Sequence, residues 1–210
     1  SLSSVTKFLE LKTALENINH DILGLSEVRR LGESIIEEDN YIMYYLGETK
    51  GLNGVGFLVK KKLKEYIKAF IGISERVCVL EIKLGNLPFA IIQAYAPTES
   101  SSQQDIDDFY DDLEKAHDSI TTKYLICMGD FNAQIGIPKK HERLVAGEYG
   151  SGKRTKRGER LVQYAHEHNL KIINTLFKLK MNNRWTWISP DKNTKNEIDY
   201  IMSSTPHLFS

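Results

Sequence analysis

Three short runs set acidic or amide side chains against apolar stretches. Ile22-Leu23-Gly24-Leu25-Ser26-Glu27 places a carboxylate just past a short aliphatic run. Tyr124-Leu125-Ile126-Cys127-Met128-Gly129-Asp130-Phe131-Asn132 does the same with an Asp and an amide, and Glu197-Ile198-Asp199-Tyr200-Ile201 holds Asp199 among apolar neighbours. A carboxylate beside a buried strand is unfavourable unless a partner compensates its charge. A divalent cation is one such partner, and Mg²⁺ takes only one or two protein carboxylates, leaving water and substrate phosphate to complete its octahedron. Asp130 can hold a water or remove its proton; the Asn132 amide can donate to a phosphate oxygen or fix that water. In an extended segment residues two apart point the same way, so Asp130 and Asn132 are expected to face one cleft, with Phe131 turned into the core. Alone, Gly-Asp-x-Asn is as readily a turn, with Gly129 letting the backbone bend closely. Its place after a wholly apolar run, together with Glu27 and Asp199, favours chemistry. Tyr95-Ala96-Pro97 closes another apolar run. That phenol either packs at a strand end, donates to a phosphate oxygen, or has its pKa lowered by a nearby cation.

These residues need a frame to bring them together. Val5, Phe8, Leu9, Leu15 and Ile18 recur at helical spacing, so the sequence predicts a helix over 5–17, capped by Ser3 or Ser4. Ile22–Leu25 reads as a short buried strand, and Gly54–Lys60, Val77–Lys83 and Phe89–Tyr95 as β-type runs. An acidic amphipathic helix follows, carrying Ile106, Phe109, Tyr110 and Leu113 on one face, and then the strand Tyr124–Met128. A Gly-rich basic loop over 147–158 leads to a helix Gly158–Glu167 and to strands Lys171–Asn174, Arg184–Ile188 and Ile198–Met202. Strands outnumber helices and several lack helical crossovers, which favours a mixed-sheet α/β sandwich over a doubly wound parallel sheet. No repeat or low-complexity linker appears, so one domain over 1–210 is expected.

The 210 residues balance 28 Lys and Arg against 28 Asp and Glu, so no global field draws the chain to nucleic acid or membrane. At 41% apolar and 27% charged, the composition is that of a folded globule rather than a disordered tail. The neutral total hides segregation. Residues 99–118 hold eight acids and one base, while 139–195 holds fourteen Lys and Arg against five Asp and Glu. Each run suits a solvated face, but the basic one also carries Trp185 and Trp187, and cations interleaved with aromatics suit a backbone-tracking, base-stacking surface. Cys78 and Cys127 sit in apolar runs and read as buried thiols in a reducing compartment. The longest uncharged run, Leu84–Thr98, contains Asn, Pro and Gln and is too short and polar to span a bilayer; no signal-peptide pattern opens the chain. The expectation is an intracellular protein, nuclear or cytoplasmic, neither membrane-bound nor secreted.

Five motifs in order, Asp-Ile-Leu-Gly-Leu-Ser-Glu (21–27), Asn-Gly-Val-Gly-Phe (53–57), Ala-Tyr-Ala-Pro (94–97), Met-Gly-Asp-Phe-Asn (128–132) and Ile-Asp-Tyr-Ile (198–201), resemble the endonuclease/exonuclease/phosphatase superfamily. Within it the chain is similar to the apurinic-type endonuclease domain of LINE-like (non-LTR) retrotransposons and their host-derived relatives. The resemblance implies a four-layer sandwich of two mixed β-sheets flanked by helices. It also implies a Mg²⁺ cofactor, with Mn²⁺ as the alternative, and DNA as partner. Carried over by position, Glu27 is the metal ligand and Tyr95 the tyrosine at the scissile phosphate. Asp130 positions or deprotonates the attacking water, Asn132 holds a phosphate oxygen, and Asp199 orients a catalytic histidine. The implied reaction is in-line hydrolysis of a DNA phosphodiester that leaves a 3′-hydroxyl, the primer for a reverse transcriptase in the parent polypeptide. Lys153, Arg154, Lys156, Arg157, Arg184 and Trp187 are the expected substrate-binding residues. Members normally begin with an Asn-bearing strand and end with a Ser-Asp-His strand. Here the sequence opens in the following helix and closes at Ser210, with His207 a poor substitute, so a domain lacking its first and last strands is expected. The alternatives are a phosphatase of the same superfamily and a catalytically impaired DNA-binding or interaction remnant.

Overall fold

The computed structural model describes residues 2, 4–180 and 183–209. Its elements run α1 (Val5–Leu15), β1 (Ile22–Ser26), β2 (Gly32–Glu37), β3 (Tyr41–Gly47), β4 (Val55–Lys60), β5 (Ile67–Ser74), β6 (Val77–Leu84) and β7 (Leu87–Tyr95). Then come α2 (Gln103–Ser119), β8 (Tyr124–Asp130), α3 (Lys156–Glu167), β9 (Lys171–Ile172), β10 (Trp187–Ile188), β11 (Lys195–Asn196) and β12 (Asp199–Ser203). A four-stranded sheet has the order β1-β4-β3-β2 and is antiparallel throughout. A six-stranded sheet, β5-β6-β7-β8-β12-β9, is mixed, because α2 carries the chain from β7 back to a parallel β8. Among the described residues the first sheet is not mixed: β2-β3 and β3-β4 are successive hairpins, and β1 adds antiparallel to the far side of β4.

Alternation along the strands sorts side chains into three cores. On β4, Val55, Phe57 and Val59 meet Cys78, Leu80 and Ile82 of β6 and Ile91 and Tyr95 of β7 between the sheets. The opposite face of β6 and β7, with Val77, Val79, Ala90, Ile92 and Ala94, packs under α2 and α3. Met43, Tyr45 and Leu58 turn outward from the first sheet to Phe8 and Leu15 of α1. The result is helix, sheet, sheet, helix. Mutually buried strand faces read as nearly continuous apolar runs, as β6 and β7 do.

Local signals set the helix ends. Ser4 caps α1 by accepting from the Lys7 N–H, while Ser3 lies outside the described residues. Ser102 and Asp105 form a reciprocal capping box on α2, and Thr155 caps α3, which starts at Lys156, two residues ahead of the expected Gly158. Cys78 and Cys127 are both buried and free. Among the described residues no helix is long and apolar enough to cross a membrane.

Candidate active site

Register across the second sheet assembles the acids. Tyr95 is the Cα partner of Asp130 in the β7–β8 pair, and Asp130 is the partner of Asp199 in the β8–β12 pair. Side chains in register share a face. Phe131 is buried on the helix side, as is Tyr200, which leaves Tyr95, Asp130 and Asp199 on the face toward the first sheet. Gly129 makes this approach feasible: its φ is +148° and a Cβ there would lie 1.9 Å from the Ala94 carbonyl oxygen.

Glu27 comes from the facing sheet, one residue past β1. The Tyr95 hydroxyl donates to Glu27 Oε1 at 2.9 Å, and Arg29 Nη2 donates to Glu27 Oε2 at 3.1 Å. Glu27 and Arg29 both hold left-handed backbone, φ 54° and 57°. For residues other than glycine this costs on the order of 1 kcal/mol each. The elbow is fixed by bonds from the Val28 and Arg29 N–H groups to the Gly54 and Asn53 carbonyls, 3.0 and 2.8 Å. The Asn-Gly-Val-Gly-Phe motif therefore serves Glu27 through its backbone.

Burial pushes the Asp130 carboxyl up to about 7, helped by the charges of Asp199 and Glu27 and opposed by the Asn132 N–H that donates to Oδ1 at 2.9 Å. Asp199 is raised as well, mainly by burial. Tyr95 is pushed up to about 12 in the metal-free site, first by burial and then by its bond to Glu27. A cleft of about 440 Å³ opens between β1 and the β8–β12 pair, with Gly24, Ser26, Asp130 and Asp199 on its walls.

Asn132 does not continue the strand beside Asp130. β8 ends at Asp130, Asn132 turns left-handed at φ 45°, and its amide donates to the Ala96 carbonyl at 2.9 Å. That bond ties the end of β8 to the end of β7, so the expected side-by-side pair is replaced by a turn.

The expected substrate-binding residues divide. Lys153, Lys156 and Trp187 are exposed, Trp187 on the β10–β11 hairpin beside Trp185, whose ring carries Lys195 Nζ at 4.8 Å. Arg184 is only 4% exposed, not on an open surface as expected. It pairs with buried Glu197 at 3.4 Å and donates to the Phe177 carbonyl at 2.9 Å, and the strand expected over Arg184–Ile188 shrinks to β10. Arg154 is held by Glu142 and Glu159, and Arg157 by the Pro97 and Ser101 carbonyls with Glu99 beside it. Each of these three guanidiniums thus has partners inside the protein. His207 follows β12 away from the cleft, in the turn Pro206–Leu208.

Residues with no evident sequence signal complete the site. Asn174 donates to the Asp199 carbonyl at 3.0 Å and accepts from the Ile201 N–H at 2.9 Å, bracketing β12. Buried Gln93 bridges the sheets to Ser26 Oγ at 3.1 Å, in space that a Cβ on Gly24 would occupy. Arg76 lies over the Tyr95 ring at 5.4 Å. Arg29, two residues beyond Glu27, was in plain view as a cation beside the elbow.

A sequence profile of the Endonuclease/Exonuclease/phosphatase family matches residues 2–209. The chain belongs to this family. It is 34% identical over 201 residues to craniofacial development protein 2 of Bos taurus and 32% identical over 198 residues to that of Tragulus javanicus, in each case over 91% of this chain. The chain spans about a third of the length of these relatives, 32% and 33%. The fold is shared with the endonuclease domain of TRAS1, a telomere-specific non-LTR retrotransposon, at TM-score 0.63 and 15% identity over 98% of this chain and 83% of that one. The AP endonuclease LMAP from Leishmania major matches at TM-score 0.63 and 13% identity, over 96% and 74%. TDP2 of D. rerio, complexed with a single-strand DNA product, matches at TM-score 0.57 and 11% identity, over 93% and 75%. Family members are hydrolases acting on phosphodiester bonds.

Proposed function

We propose that this chain is a metal-dependent DNA phosphodiesterase domain that nicks target DNA and leaves a 3′-hydroxyl. The observation that carries the proposal is the placement of Tyr95, Asp130 and Asp199 side by side on one sheet face, with Glu27 from the facing sheet bonded to the Tyr95 hydroxyl.

The donor set fits one hard cation. Among the described residues no three His, Cys, Asp or Glu side chains form a cage for a metal ion. Mg²⁺ needs no such cage, since it keeps several waters and takes one or two carboxylates. Glu27 would hold it, its side chain 39% exposed and its second oxygen shared with a displaceable Arg29. The Asp130 and Asp199 carboxyls are raised mainly by burial, with the charges of Asp199 and Glu27 adding to the shift at Asp130, and a cation would offset that cost. When bound, the ion would neutralise charge on the phosphate and the departing oxygen. Mn²⁺ would serve in its place.

The residues then take distinct roles. Asp130, titrating near neutrality, holds the attacking water and accepts its proton. Tyr95, whose hydroxyl already donates to Glu27, donates a hydrogen bond to a phosphate oxygen when it leaves Glu27. Asp199 orients that water from the neighbouring strand, and Asn132 fixes the turn carrying Asp130. Lys153, Lys156 and the Trp185–Trp187 hairpin grip the nucleic acid beside the cleft. The hairpin reaches the site through Thr186, whose Oγ1 accepts from the Asp199 N–H at 3.2 Å. We assign 1–210 to one such domain, acting inside the cell in the nucleus or cytoplasm, with its 3′-hydroxyl product priming a reverse transcriptase of the parent polypeptide.

Incubation with supercoiled plasmid and Mg²⁺ tests this. Open circles extendable by a DNA polymerase, abolished by EDTA and by Asp130→Ala, are the expected result. DNA binding without nicking, or phosphate release from lipid head groups in its place, overturns the assignment.

A further inference from the structure

The Glu27 elbow leans on a loop that is itself strained. Val28 and Arg29 donate to the carbonyls of Gly54 and Asn53, and those two residues hold left-handed φ of 89° and 42°. These bonds join the two bends to each other, and Arg29 also bonds Glu27, but neither anchors the pair to the rest of the fold. The anchoring contacts to Asn53 and Gly54 come from the turn between β5 and β6. Glu75 Oε1 accepts from Asn53 Nδ2 at 2.6 Å, and Oε2 accepts from the Thr49 and Glu48 N–H groups at 2.8 and 3.3 Å. The Glu75 carbonyl takes the Gly54 N–H at 3.0 Å. Burial works against the charged carboxylate, yet these donors outweigh it and hold the group below the usual carboxylate range.

The next residue grips the other partner. The Arg76 carbonyl accepts from the Tyr95 N–H at 2.8 Å, and its guanidinium donates to the Tyr95 carbonyl at 3.3 Å. A closed circuit results: Glu75 to Asn53, Asn53 to Arg29, Glu27 to Tyr95, Tyr95 to Arg76. We infer that Glu75 is a positioning residue, which holds Glu27 in reach of Tyr95 by fixing the left-handed Asn53-Gly54 bend. The inference rests on the proposed reading only for the metal-binding role of Glu27; the mechanical coupling stands apart from it.

Amide hydrogen exchange on the metal-free full chain reads the coupling directly. In Glu75→Gln the new amide opposes either Asn53 Nδ2 or the Thr49 N–H, donor against donor. Exchange at Val28 and Arg29 should then rise about tenfold or more. Asn53→Asp, which sets carboxylate against carboxylate, should do the same. The double variant Glu75→Gln/Asn53→Asp reverses donor and acceptor and should restore protection, an outcome that a general loss of folding would not give. Calorimetry with Mn²⁺ should show weaker binding in each single variant and recovery in the double. Unchanged protection at Val28 and Arg29 in Glu75→Gln, or no recovery in the double variant, overturns the inference. If the wild-type chain binds no Mn²⁺ while the exchange pattern holds, the metal role of Glu27 falls and the positioning role of Glu75 stands.

Discussion

Replacing Asp130 by Asn should make the metal-free protein more stable while removing its activity. Asn keeps the shape and an Oδ1 acceptor for the Asn132 N–H, so the main change is the charge. The carboxyl sits near 7 in the fold against an ordinary value of 3.8, with burial the largest cause and Asp199 and Glu27 adding to it. A group with a raised folded pKa binds its proton more tightly folded than unfolded. Its stabilising contribution is therefore full below pH 3.8 and is lost as pH rises through 7. A rise of about three units corresponds to about 4 kcal/mol above pH 8, an upper bound because Asp199 shares the repulsion and local relaxation relieves part of it. We expect Asp130→Asn to match wild type within about 1 kcal/mol at pH 4 and to exceed it by about 2–4 kcal/mol at pH 8.5. That corresponds to a melting temperature higher by roughly 5–15 °C. Paired thermal and urea melts in EDTA at the two pH values measure the effect. Adding Mg²⁺ should narrow the gap at pH 8.5, because a bound cation compensates the wild-type carboxylates. A variant no more stable than wild type at pH 8.5, or a gap as large at pH 4, would refute the placement of Asp130 in a buried, acid-crowded site.

Tyr95→Phe removes the donor to Glu27 and should lower stability by about 1 kcal/mol while cutting nicking tenfold or more; a melt combined with a plasmid time course checks both. Arg184→Met leaves buried Glu197 without its cation and should cost about 3–5 kcal/mol at pH 7 in a urea titration, with part of the loss recovered on adding Glu197→Gln. Trp187→Ala should leave stability within about 0.5 kcal/mol yet weaken single-stranded DNA binding by about 1–3 kcal/mol with an unchanged salt slope. Lys153→Ala should instead flatten that slope by about one, as read from fluorescence anisotropy across a salt series.

What the sequence made legible follows from physical cause. β8 declares itself because an apolar run buried between two layers ends abruptly at Gly129-Asp130, and α2 because its apolar positions and Ser102–Asp105 box agree on one helix. β2, β3 and β5 gave no such signal. Tyr41–Gly47 is apolar without alternation because its two faces meet α1 and the facing sheet, and β5 is interrupted by two register shifts that break its period. Glu27, Asp130 and Asp199 were visible as acids at strand ends, whereas their convergence depends on pairing between strands far apart in the chain. Asn132 misled because a two-residue period holds only while the strand continues, and a left-handed turn stopped it. Arg184 misled because a cation in a basic stretch looks solvated until its buried partner Glu197 is placed beside it.

The most direct test of one cation-sized space shared by these acids is a crystal of the chain grown with Mn²⁺ and measured at the manganese edge. The account predicts a single anomalous peak at the Glu27 carboxylate, with Arg29 drawn aside and Asp130 and Asp199 facing the ion across water. A peak elsewhere, or none with Glu27 still paired to Arg29, would contradict it.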